Sequence, residues 1–344
     1  MLRGFAALYV AVGHIFPLHL GIKGTWLALP FAFGQEAVIL FFLISGFVIQ
    51  VSAANDRSLS PYAYFWKRVI RIYPIFLLAG FVGYVFGCVF SGVAPPPTLK
   101  DLIGNVGMLQ DFSYGKPGVF VAPLGGNTPL WSLSYEWWFY MTFIPMHWMV
   151  AEKYRMVVVL AISMMATFSL AWFPGPFGYF GMYYILWWSG AELGREYLKN
   201  NKISLRPLLP ALSGITLVVL LWVVFMAAGK LGPVTSAGLH PVLELRHLLS
   251  GGFLMMVALG WSRFQFKGFD FLFGKFEKVG AYSYGLYALH YPLGATVDYL
   301  RWIPTSLLRS FAYLGISMLA AWAVEKALAN KVNPFLKNLF LKPR

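Results

Sequence analysis

Residues 31–54 read FAFGQEAVILFFLISGFVIQVSAA, with one ionisable side chain, Glu36, in the whole stretch. A helix needs about 20 mostly apolar residues to cross a bilayer core, so this segment predicts a membrane span. The pattern recurs along the chain, at 4–21, 31–54, 72–93, 131–151, 156–173, 180–198, 208–229, 247–264, 279–299 and 306–328. A soluble domain carries roughly 25% charged residues; here 12% are charged, 59% are hydrophobic and the mean hydropathy is +0.65. The expected fold is all-α, a polytopic transmembrane helix bundle of about ten spans. It is expected to form one domain over residues 1–330, followed by a short basic tail at 331–344. The segments 180–198 and 247–264 carry internal polar residues, so nine or eleven spans also fit the pattern.

Basic residues orient such a chain, because cytoplasmic loops retain Lys and Arg. Seven fall on one side, namely Lys23, Lys100, Lys116, Lys230, Arg246, Arg301 and Arg309, and the remaining 20 of 27 on the other. This predicts both termini in the cytoplasm and an even number of spans. The net charge of +14 is then a topology signal; no clustered nucleic-acid motif accompanies it, and no nucleic-acid partner is expected. The single cysteine, Cys88, excludes an intramolecular disulfide and a cysteine-based metal site, and no metal is expected. The first span carries His14 at its centre without a polar cleavage region, so it reads as a mature helix and not a signal peptide. Residues 94–130 open with Pro95, Pro96 and Pro97 and close with Asn127, Thr128 and Pro129. Between them Leu99, Leu102, Ile103, Val106, Met108 and Leu109 fall near helical spacing, which predicts a short helix on the membrane surface.

Ionisable residues inside spans cost about 2.5–3.5 kcal/mol each on insertion scales, so they mark partners, cavities or chemistry. In RGFAALYVAVGH, Arg3 and His14 share a helix face about 16 Å apart, comparable to the reach of a pantetheine arm. A mid-membrane His suits general-base work, and a neutral core His bonded to a neighbouring helix suits the position equally. In KRVIRIYP, Arg68 and Arg71 share a face one turn apart, matched to a phosphate ligand or to simple cytoplasmic anchoring. In NTPLWSLSYEWWFYM, Thr128 is the expected N-cap, and Ser132, Glu136 and Tyr140 stack at i, i+4 beside Trp131. Glu136 is placed roughly 10 Å below the outer surface, to activate a hydroxyl, orient His14 or bond between helices. In VGAYSYGLYALHYPLG, Ser283, Tyr287 and His290 share a face and read as a supporting polar network. Ser45 and Gly46 predict close helix approach. Glu192, Glu196 and Glu325 read as interfacial.

Five segments in order carry a resemblance: RGFAALYVAVGH (Arg3 to His14), FFLISGFVI (Phe41 to Ile49), KRVIRIYP (Arg68, Arg71, Pro74), WSLSYEWWFY (Trp131 to Tyr140) and SYGLYALHYPL (Ser283 to Leu293). Together they resemble the integral-membrane acyltransferase 3 family, which includes O-acetyltransferases of bacterial surface polysaccharides. The resemblance implies transfer of an acyl group, most often acetyl, from cytoplasmic acyl-CoA to a hydroxyl of an extracytoplasmic glycan or lipid-linked sugar. It implies that His14 is catalytic and that Arg3, Arg68 and Arg71 serve the CoA phosphates; Glu136 is the second catalytic candidate, expected to orient the acceptor hydroxyl or His14. It also implies a multi-pass protein of the bacterial inner membrane; self-association into a homo-oligomer is left open. The second helix departs from the family pattern at Ala37 and Ile39. Two other classes compete. A proton-coupled transporter would use His14, Glu136 and His290 as a relay, although no repeat symmetry of the transporter kind is visible. A scaffold would use the same residues for packing alone.

Overall fold

A computed structural model describes residues 1–55, 60–91, 96–112, 116–200, 203–234 and 236–341. Pro95 and the last three tail residues, 342–344, lie outside these. The long helices are α1 (Leu2–His19), α2 (Gly34–Ala54) and α3 (Pro61–Phe86), then, after the short α4 (Leu99–Val106), α5 (Trp131–Met149), α6 (Glu152–Leu170), α7 (Pro176–Asn200), α8 (Leu205–Ala227) and α9 (Val242–Ser262). Two five-residue turns, α10 (Phe269–Phe273) and α11 (Glu277–Ala281), precede α12 (Ser283–Gly294), α13 (Ser306–Ala327) and α14 (Asn333–Leu341). No β-strand forms among the described residues; one isolated bridge pairs Gln110 with Val121. Six stretches are long and apolar enough to cross a membrane: Trp26–Ala54, Pro61–Phe90, Glu152–Leu170, Leu205–Ala227, Val242–Ser262 and Ser306–Leu341.

The helices that miss this standard, α1, α5, α7 and α12, form the interior. Residues 182–194 of α7 are buried without interruption, and α7 packs against α2, α5, α6, α8 and α9. A helix buried on every face meets protein rather than lipid, so it can carry Ser189, Glu192 and two tryptophans where a lipid-facing helix needs aliphatic cover. Its closest neighbour is α2. At their crossing a Cβ added to Gly46 would lie 2.0 Å from the Trp187 carbonyl oxygen, and one added to Gly190 would lie 2.0 Å from that of Leu43. The close approach expected at Ser45 and Gly46 is therefore a backbone-to-backbone contact that only glycine permits.

Local signals set several helix starts. Ser60 accepts a hydrogen bond from the Ala63 amide at 3.4 Å and Pro61 occupies the first turn of α3. Thr98 and Asp101 close a reciprocal capping box on α4, whose Leu99, Leu102, Ile103 and Val106 are exposed, as a surface-lying helix requires. Thr128 differs from expectation: it lies in a 3-10 turn, Thr128–Leu130, and makes no side-chain cap to α5. Lys116, counted above as a loop charge, is buried. It donates to Asp111 Oδ2 at 2.7 Å and Tyr135 OH at 2.6 Å, over the Tyr179 ring at 4.0 Å, and so ties the 96–130 segment to α5 and α7.

Three further expectations change. The segment expected at 279–299 is a helix of only 12 residues, α12, separated from α11 by Tyr282 at φ −120°, ψ 21°. At about 1.5 Å per residue it rises some 18 Å. Eleven of its residues are buried, and interrupted helices survive at membrane depth when protein surrounds them. The third helix starts at Pro61, ahead of the apolar run at 72–93, and holds Arg68 and Arg71 one turn apart. Glu192, Glu196 and Glu325 are buried rather than interfacial: Glu192 pairs with Arg195 and accepts from Trp188 Nε1, Glu196 accepts from Ser204, and Glu325 binds Arg71. Within the basic tail, α14 docks on α3, with Phe340 stacked on Trp66 at 3.7 Å.

Candidate active site

Arg68 and Arg71 project from one face of α3 toward Arg3 at the start of α1, and the three line a cavity of about 140 Å³ with Ser45, Glu136, Tyr140 and Tyr284. Arg71 Nη1 donates to Glu325 Oε2 at 3.1 Å, and the other oxygen of that carboxylate accepts from the Gly285 amide at 3.1 Å. The Arg68 guanidinium lies over the rings of Tyr64 and Tyr140, at 5.1 and 5.3 Å, and its Nε is buried with no hydrogen-bond partner among the described residues. Three guanidinium groups against two carboxylates leave this pocket net positive, and a buried unpaired N–H costs about 1–3 kcal/mol until an acceptor meets it. The pocket is too small for a whole nucleotide carrier and has the size and charge for a phosphate group.

Glu136 belongs to this basic pocket. Its Oε1 accepts from Ser45 Oγ at 2.9 Å and from Tyr140 OH, and Ser45 Oγ in turn accepts from Trp187 Nε1 at 3.1 Å. The i, i+4 stacking of Glu136 and Tyr140 on α5 is therefore a direct bond. Among the described residues no hydrogen bond joins Glu136 to His14.

A second cavity, about 260 Å³, lies farther along the same helices. Val10, Gly13 and His14 line it from α1, Gln35 and Val38 from α2, Trp131 from α5, Arg246 from α9 and Tyr287 from α12. His14 Nδ1 lies 2.9 Å from His290 Nε2 with the rings nearly parallel, and His290 Nδ1 lies 3.0 Å from the Leu286 carbonyl. A carbonyl only accepts, so His290 carries its proton on Nδ1 and accepts at Nε2; His14 must then donate from Nδ1. That network fixes the tautomer and leaves His14 Nε2 as the basic nitrogen toward the cavity. His290 thus bonds to His14 directly. Tyr287 OH lies 2.8 Å from Ser132 Oγ and donates to the Pro129 carbonyl at 2.6 Å, holding the start of α5 to α12. Ser283, though buried, donates to the Gly280 carbonyl at 2.9 Å and is not part of either cavity.

Three lining or bracing residues escaped the sequence reading. Gln35 lines the His14 cavity and bonds to His247, whose ring stacks on Trp131. Arg246 lines the cavity and is ion-paired to Glu36, with a further bond to the Ala237 carbonyl at 2.9 Å. The rule that singled out His14, an ionisable residue inside an apolar run, applies equally to His247. Two larger furrows, about 550 and 630 Å³, run between α1, α2 and α9; they are lined chiefly by Leu, Ile and Phe and share Arg246, Arg3 and Val48 with the polar cavities. Among the described residues no group of three His, Cys, Asp or Glu side chains is arranged to hold a metal ion.

Comparison with known proteins identifies the family. A family profile described as an acyltransferase domain matches residues 1–326. Acyltransferase MdmB of Streptomyces mycarofaciens is 35% identical over 167 residues, 44% of this chain and 39% of that protein. Nodulation protein 10 of Rhizobium leguminosarum bv. viciae is 31% identical over 180 residues, 48% of each. These matches span less than half the length of either relative. No solved structure matches the chain. With the profile covering nearly the whole chain, which also carries apolar helices of membrane length, the protein belongs to this acyltransferase family.

Proposed function

We propose that the chain crosses the bacterial inner membrane ten times with both termini in the cytoplasm, and moves an acyl group, acetyl in the simplest case, from cytoplasmic acyl-CoA to a hydroxyl of an extracytoplasmic glycan or lipid-linked sugar. One observation carries the reading: two polar cavities stack along α1, α2, α5 and α12, with Arg3, Arg68 and Arg71 at the basic end and His14 about 16 Å farther up α1. Phosphates of the donor bind the three arginines, with the unpaired Arg68 Nε as one donor, and the bulk of the nucleotide extends toward the cytoplasm. The pantetheine arm rises along α1 and brings the thioester to His14. Glu136, held by Ser45 and Tyr140, fixes Arg68 through the Tyr140 ring on which that guanidinium lies.

His14 Nε2 removes the proton of the acceptor hydroxyl as its oxygen attacks the thioester carbonyl, and the imidazolium returns that proton to the departing CoA sulfur. His290 keeps Nδ1 of His14 occupied throughout, so Nε2 alone exchanges protons. A relay of the transporter kind would join Glu136 to the two histidines, and Glu136 instead bonds to Ser45 and Tyr140. The test is purified protein with acetyl-CoA, following free CoA with and without candidate glycans: release that depends on His14 is expected, and neither binding nor release would overturn the reading. A labelled acyl group trapped on the protein, and lost in His14→Ala, would assign a covalent acyl-imidazole route in place of direct transfer.

A further inference from the structure

Attack on a thioester carbonyl moves the C=O electron pair onto oxygen, and that oxyanion needs a hydrogen-bond donor fixed where the charge develops. The cavity around His14 contains one neutral side-chain amide, Gln35, and its orientation follows from the groups behind it. His247 is buried; its Nε2 lies 3.0 Å from Gln35 Oε1 and its Nδ1 lies 2.6 Å from Tyr183 OH. An amide oxygen only accepts, so His247 carries its proton on Nε2 and donates it to Gln35 Oε1. Nδ1 then accepts from the Tyr183 hydroxyl. With Oε1 occupied, the Gln35 amide nitrogen is turned away from His247, and among the described residues it has no hydrogen-bond partner. Gln35 is half-buried, one residue after Gly34 at the start of α2, and shares the cavity wall with His14, Gly13 and Trp131.

We propose that Gln35 Nε2–H is the oxyanion donor of this site, and that His247 and Tyr183 are positioning residues that hold its amide in that sense. This rests on the acyl-transfer reading given above. The acceptor O–H bond breaks as His14 Nε2 takes the proton and the acceptor oxygen bonds to the acyl carbon. The carbonyl oxygen takes up the electron pair and accepts from Gln35 Nε2. Collapse re-forms C=O, expels the thiolate and returns the proton from His14 to sulfur, giving an ester and free CoA. The donor acts on the carbonyl and not on the acceptor, so its loss lowers turnover equally whatever hydroxyl attacks.

The experiment uses the full chain in detergent, acetyl-CoA as donor, and water or glycerol as acceptor, with free CoA as the readout and the melting temperature recorded for every variant. Gln35→Ala is expected to lower kcat by about 100- to 1,000-fold for both acceptors, with KM for acetyl-CoA unchanged. Gln35→Glu, close to isosteric, keeps an oxygen for His247 and replaces the donor by an acceptor; it is expected to lose at least as much, and it stands in should Gln35→Ala fail to fold. Tyr183→Phe is expected to lower kcat by a smaller factor, again without a change in KM, a split that a purely structural role would not produce. Wild-type kcat in a folded Gln35 variant, or a loss confined to the KM of one acceptor, would overturn the proposal. CoA release that is absent from the wild type, or that survives His14→Asn, would instead fail the acyl-transfer reading itself.

Discussion

Helices α6, α8 and α13 and helices α1, α5, α7 and α12 have similar lengths on average but opposite surroundings. In the spans containing α6, α8 and α13 only 28%, 39% and 22% of the most apolar window is buried by protein, and Leu217, Leu220 and Val224 of α8 are exposed. The other four are more enclosed, above all α12, with eleven of twelve residues buried, and α7, with the unbroken buried run 182–194. Where lipid is the neighbour, a polar side chain has nothing to bond, and the helix stays aliphatic. Where protein is the neighbour, most polar groups meet a partner, and both polar cavities are built mainly from those enclosed helices together with α2.

The contrast is sharpest at His14. His14→Asn keeps a donor for His290 Nε2 but has no basic nitrogen, and is expected to lower CoA release by about 100- to 10,000-fold with the melting temperature nearly unchanged. A variant that keeps a tenth of the wild-type rate would detach the chemistry from the enclosed helices. Arg68→Ala removes charge-assisted hydrogen bonds worth about 1.5–3 kcal/mol, so KM for acetyl-CoA is expected to rise about 10- to 100-fold, with a smaller change in kcat. Equilibrium binding of CoA alone checks this, and unchanged affinity would remove the phosphate role. Gly46→Ala forces a Cβ toward the Trp187 carbonyl and is expected to cost about 1–3 kcal/mol, visible as a fall in melting temperature and yield. On the outer layer, Leu220→Ala is expected to change stability by less than about 0.5 kcal/mol and CoA release not at all. An effect there as large as that of Gly46→Ala would mean that α8 has a protein partner in the membrane.

The positions of the long helices were legible because a hydrocarbon-crossing segment is written in about 20 consecutive residues. The same local logic found His14, Arg68, Arg71 and Glu136, each an ionisable group in an apolar run. It misjudged Glu325 and Lys116, because a charge near a helix end or in a loop looks solvated until the packed partner is known, here Arg71 for one and Asp111 with Tyr135 for the other. Gln35 and His247 were missed for a related reason: they act as a pair from α2 and α9, more than 200 residues apart in sequence.

By itself the sequence determined the all-helical membrane class and which helices carry polar side chains, since hydropathy and periodicity act within one helix. Only the tertiary structure decided the grouping: Glu136 with the arginines rather than with His14, His290 as the partner of His14, and α7 as the central post. The bonds behind that grouping, His14 to His290 and Ser45 to Glu136, are contacts of about 3 Å between helices distant in sequence, and no periodicity within a single helix records which face of another it meets.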